Sequence, residues 1–252
     1  MKAKRGQVTI FIIIAVVIIC FIALAYVVYP KIKTNIQTET KNPQAFISEC
    51  VEDELINLVD LISAQGGSLN PSPVYPFEGK QIQYLCYTNK NYEPCIIQNM
   101  LLEKNIEQEL TTVITPQVEA CFNSLKSNYE KKGYVVQIKP GEVKIELLPK
   151  KIIGTFDYKV TLTKDGTEEY NLFNIMLNNN LYELIKISDV IVEWSMKNVD
   201  DIDPLIIMEA YHFIDMTVKE QTEGNIIYKL KDDEVGGEFN FAIRSWVLPG
   251  GF

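Results

Sequence analysis

From Gln7 to Tyr29 the chain runs uncharged and rich in Ile, Val, Ala and Phe, with Lys2, Lys4 and Arg5 just before the run and Pro30 closing it. At about 1.5 Å per residue, such a run crosses a hydrocarbon core of ~30 Å as a single helix. The cationic flank predicts a cytoplasmic N-terminus and places residues 31–252 outside. Beyond Pro30 the apolar positions become periodic. Ile47, Cys50, Val51, Leu55, Leu58, Val59 and Ile62 share one face of a helix expected from Pro43 to Gln65. Asn42 is its N-cap, Pro43 takes the first helical position and Gly66-Gly67 stops it. A second helix is expected from Gln98 to Lys131, with Leu102, Ile106, Leu110, Val113, Ile114, Cys121 and Leu125 on one face and a kink or restart at Pro116.

The prolines of Asn70-Pro71-Ser72-Pro73-Val74-Tyr75-Pro76 predict a loop between the first helix and a hairpin. That hairpin consists of Gln81 to Tyr87 and Cys95 to Ile97 around the polar turn Thr88 to Pro94. After Gly133 the period changes to two. Tyr134–Lys139, Val143–Leu148, Ile153–Thr163 and Tyr170–Leu177 read as four strands of an antiparallel meander, turning at Pro140-Gly141 and Asp165-Gly166. Leu181 to Met196 returns to helical spacing. Asp203-Pro204 starts a further helix carrying Leu205, Met208, Ala210, Tyr211, Ile214 and Val218. Ile226–Leu230 and Glu238–Val247 close the chain as a strand pair around Gly236-Gly237.

The expected organisation is a basic cytoplasmic leader (1–6), a transmembrane helix (7–29) and a stalk or tether (30–43). A helical, Cys-bearing part (44–132) and a strand-rich α+β part (133–252) of an extracellular domain follow. The fold class is α+β, with helices and a mainly antiparallel sheet.

Charge and cysteine usage agree with export. All 33 acidic residues follow Pro30 whereas three basic ones precede the span, so the outer part is more acidic than the net −9 of the chain. Such a surface repels nucleic acid and anionic headgroups. Cys20 lies in the span as a small apolar filler. The other four cysteines lie between residues 50 and 121 and allow three pairings. The hairpin favours Cys86 with Cys95, which leaves Cys50 for Cys121 across two apolar helix faces. No Cys-x-x-Cys supports a metal site.

Lys4-Arg5-Gly6-Gln7-Val8-Thr9-Ile10-Phe11 resembles the class III signal of archaeal type IV pilin-like proteins. The resemblance implies that a prepilin-type peptidase cuts between Gly6 and Gln7, and that the apolar segment survives as the N-terminal helix. Phe11 departs from the Glu that many pilins carry at the fifth mature position. An uncleaved signal anchor is the alternative. Gln65-Gly66-Gly67, Ala120-Cys121-Phe122 and Phe239-Asn240-Phe241-Ala242-Ile243-Arg244 are similar to a recurrent set of surface proteins from small-genome archaea, a likeness that implies no activity.

Candidate chemistry is sparse. His212, the single histidine, sits between Tyr211 and Phe213 and reads as a packed helical residue. Asp200, Asp201 and Asp203 lack the alternation, Gly and distal Glu of a calcium loop, and read as a helix N-terminal cluster. The glycine pairs suit turns, and Trp194 and Trp246 follow element periodicity as core residues. No catalytic constellation, cofactor or metal is expected. Three functions from different classes follow. The first is a single-pass, pilin-like or pseudopilin-like surface protein in adhesion or envelope assembly, with membrane lipid and a protein partner or its own copies as contacts. The second is a membrane-anchored extracellular binding module that never polymerises. The third and least supported is an extracellular enzyme.

Overall fold

A computed structural model describes residues 42–197 and 214–248. The expected span, Gly6, Gln7, Cys20, the Asp200–Asp203 group and His212 lie outside them. Among the described residues no helix is long and apolar enough to cross a membrane. Residues from Pro43 onward form one unit. It is α+β, with two mainly antiparallel sheets and two disulfides.

Helix α1, Pro43–Ala64, buries Ile47, Val51, Leu55, Leu58, Val59 and Ile62. It ends where Gly67 N–H donates to Ile62 O (2.8 Å), a closure that needs left-handed backbone at Gly66 and Gly67. A Cβ on Gly67 would also lie 2.6 Å from Leu102 Cδ1. Helix α2, Leu102–Glu130, starts four residues after the expected Gln98, at the first residue of its apolar face, and continues through Pro116 without restarting. Within its first turns it buries Leu102, Ile106, Leu110 and Ile114, but Val113 is 42% exposed; Val118, Phe122 and Tyr129 complete the face instead. Helix α3, Leu181–Met196, has the expected bounds.

The first sheet has the strands β1 (Val74–Phe77), β2 (Lys80–Tyr87), β3 (Ile96–Ile97), β8 (Ile214–Glu220), β9 (Asn225–Asp232) and β10 (Glu238–Arg244). Its order is β1-β2-β10-β9-β8, with β3 also on β2. Three features differ from the sequence reading. The proline-rich loop contains β1, because Pro76 on an edge strand removes no needed donor. Residues 214–220 are a strand paired with β9 along its length, not the end of a helix, so Ile214 and Met216 point inward at period two. And β10 runs parallel to β2, joining segments about 160 residues apart.

The second sheet is contiguous in sequence: β4 (Val135–Lys139), β5 (Val143–Leu148), β6 (Lys151–Thr163) and β7 (Thr167–Asn178). It is not a simple meander. The long β6 pairs with β7 from end to end except for a bulge at Asp157–Tyr158, while β4 and β5 share its other edge end to end. Between them Gly141 passes so close to Asp157 O that a Cβ would collide with it. The outer edge of β5 is capped by α2: Thr111 Oγ1 accepts from Ile145 N–H (3.0 Å), and Glu107 Oε1, one turn away, accepts from Leu147 N–H (2.8 Å). Side-chain acceptors thus take the place of a further strand and block edge pairing.

One apolar core joins both sheets and helices α1, α2 and α3. Phe122 of α2 stacks on Tyr158 of β6 (4.0 Å between centroids) and meets Phe173 of β7 edge-on.

Candidate functional site

The four cysteines beyond residue 30 are paired, Cys50 with Cys121 and Cys86 with Cys95. The first bridge fastens α1 to α2. The second closes the β2–β3 connection, which is further held where Ser245 Oγ accepts from Cys95 N–H (3.0 Å) and donates to Ser195 O (2.8 Å). These bridges set architecture rather than chemistry. Among the described residues no group of three or more His, Cys, Asp or Glu is arranged to hold a metal.

Helix α3 is fixed at both ends, and it forms one wall of a pocket. At its start, Asn179 Oδ1 accepts from Leu181 N–H (2.9 Å), and Asn180 Nδ2 donates to Asp232. Asp232, only 2% exposed, also accepts from Glu234 N–H (2.8 Å) and Val235 N–H (2.7 Å). Desolvation pushes its carboxyl upward. The hydrogen bonds from Val235, Asn180, Glu234 and Gly236 outweigh it and hold the group below its ordinary 3.8. At the other end, Trp246 Nε1 donates to Met196 O (3.2 Å), which gives one of the two tryptophans a role at the helix terminus.

Opposite α3, the segment from Ile97 to Leu102 is pinned by Gln98 N–H donating to Leu85 O (2.8 Å). Asn99 Oδ1 accepts from Asn105 Nδ2 (2.6 Å) and from Leu101 N–H (3.3 Å). Between this segment and the helix lies a cavity of about 320 Å³. Leu85, Ile97 and Leu102 form its apolar floor, and Met100, 87% exposed, stands at its mouth beside Asn99. Helix α3 contributes Asp189, Val192, Glu193 and Met196, residues spaced to share one helical face.

Desolvation raises the pKa of Asp189; Lys186 opposes the shift and Glu103 adds to it. Asp189 keeps an open solvent side, so the shift carries no energetic weight here. Lys186 is bound to Glu103, and Glu193 is bound to Lys197 at the exposed helix end. Asp189 makes no ion pair among the described residues.

A second feature, on the outer face of the first sheet, is self-contained. Tyr84 lies between Tyr75 and Tyr87, and its hydroxyl donates to Asn225 Oδ1 (2.6 Å). Burial pushes that hydroxyl up to about 12. Lys219 and Lys229 both sit over the Phe77 ring and both bind Glu78 (2.8 and 2.6 Å), whose carboxyl these two hydrogen bonds lower to about 2. Ile82, Ile227 and Ala242 beneath are fully covered. This is a hairpin clasp.

The pocket was not visible in the sequence, because its residues come from β2, β3, the β3–α2 connection, the start of α2 and α3. One signal was present: two carboxylates four apart in the second half of a helix that has no basic residue in its last turn. No protein-family model matches this chain, and neither a curated protein nor a solved structure matches it.

Proposed function

We propose that this chain is a single-pass, membrane-anchored surface protein of pilin-like or pseudopilin-like type, acting by contact in adhesion or envelope assembly rather than by catalysis. The observation that carries this reading is the pair of disulfides between residues 50 and 121. Such bonds persist outside the reducing cytosol, and the basic leader before residues 7–29 orients the chain to put them there. The acidic surface suits the same side and disfavours nucleic acid. A prepilin-type peptidase would act between Gly6 and Gln7. Protease added to intact cells should then remove the domain after Pro30, and N-terminal sequencing should find a chain starting at Gln7. Protection of the domain in intact cells would overturn the topology, and a start at Met1 or Lys2 would remove the pilin-type processing while leaving the anchor.

The pocket beside Met100 favours a second reading, a membrane-anchored binding module that does not polymerise. Cross-linking in intact cells separates the two: self-adducts support assembly, adducts with another molecule the module.

A further inference from the structure

Resting on the binding-module reading, we propose that the pocket between α3 and the Ile97–Leu102 segment binds an aliphatic primary ammonium group, hydrocarbon on the apolar floor and charge at Asp189 with Glu193. The volume of about 320 Å³ lies at the small end of ligand cavities, enough for a short chain. Its floor is hydrocarbon, and its two ionisable lining residues are both acidic. Asp189 and Glu193 stand one turn apart on the same helix, where like charges repel. They also stand in the half of α3 nearer its negative dipole end. Local stability argues against both, and a cation between them reverses both penalties. Lys186 is bound to Glu103 and reaches Asp189 only through its field, and Lys197 meets Glu193 from the solvent side, so neither lysine makes an ion pair with Asp189. An ammonium suits the place better than a guanidinium, since a compact charge on a flexible stem can lie along apolar surface with its head at a carboxylate. Met100 at the mouth offers an unbranched side chain that adapts to such a stem.

The test uses the full chain in detergent micelles, labelled at its methionine methyl groups, with n-butylammonium as probe and n-butanol and butyrate as controls. Met100 and Met196 methyl signals should shift saturably with n-butylammonium and far less with either control. Asp189→Asn should weaken binding roughly tenfold, the scale of one charge-assisted contact, and Glu193→Gln should weaken it less. Asp189 has an open face, so the variant keeps the fold; Glu193→Gln gives an independent reading should it not. Nα-acetyl-lysine methylamide distinguishes the source: comparable binding assigns the site to a lysine side chain of a partner, and binding of n-butylammonium alone assigns it to a free amine. Absence of a saturable shift, equal response to all three four-carbon probes, or unchanged affinity in both variants would overturn the proposal. Failure of amine binding with cross-links to another molecule intact removes the ligand and leaves the module.

Discussion

The two sheets reach the same core by opposite routes. The four-stranded sheet uses consecutive strands, β4 to β7, closed by local turns. The six-stranded sheet collects β1–β3 from one part of the chain and β8–β10 from another, and joins them through the parallel β2–β10 pair. Loop-closure entropy opposes the second route more than the first. Its covalent and polar ties are placed accordingly. The Cys50–Cys121 loop encloses β1, β2 and β3 and none of the local sheet, and Cys86–Cys95 lies within it. Tyr84 to Asn225 and Arg244 to the Thr88 carbonyl bind the two parts together. The disulfides thus brace the earlier part of the non-local sheet, and the two hydrogen bonds carry the tie to the later part.

Removing the long staple should break this contrast most. For the observed separation of 71 residues, Cys50→Ser with Cys121→Ser should cost about 4 kcal/mol in denaturant titration. Amide exchange should then rise in β2 and β10 before it rises in β6 and β7; uniform loss of protection would show that the sheets stand or fall together. Asp232→Ala, at the β9–β10 turn, should cost about 2 kcal/mol by leaving Asn180, Glu234 and Val235 donors unmatched. Because that carboxyl is held below its ordinary 3.8, its contribution is complete above that value and fades as pH falls through the folded-state pKa. Acid unfolding below about pH 4 should therefore be shallower in the variant than in the parent chain.

In the local sheet, Thr111→Val strips the acceptor from Ile145 N–H and should cost about 1 kcal/mol, with faster exchange confined to β5. Glu78→Gln, whose carboxylate is exposed, should leave the denaturation midpoint unchanged while raising the mobility of the Phe77 ring by NMR.

The same contrast governs what the amino-acid pattern disclosed. Strands β4 to β6 and helices α1 and α3 follow period two or 3.6, β7 does so on either side of the irregularity at Leu172, and their extents were legible within a few residues. The pairing of β4 and β5 on one edge of β6 was not, since it depends on how close Gly141 comes to Asp157 rather than on alternation. Proline concealed β1, because edge position is a tertiary property. Ile214 and Val218, spaced four apart, suit a helix face as well as they suit a strand, and only the pairing with β9 decides between them. The cysteines were informative because the β2–β3 hairpin is local. The pocket was opaque because Leu85, Ile97 and Asp189 belong to separate elements, and no spacing rule connects them.

Strand β10, residues 238–244, lies between β2 and β9 rather than at a margin. During synthesis, the six-stranded sheet therefore has a gap at its centre until residue 244 has emerged, whereas the four-stranded sheet has every strand once residue 178 is free. A chain arrested between residues 232 and 238 would carry one finished sheet and two half-sheets with open inner edges. Those open edges are templates for mispairing with another chain.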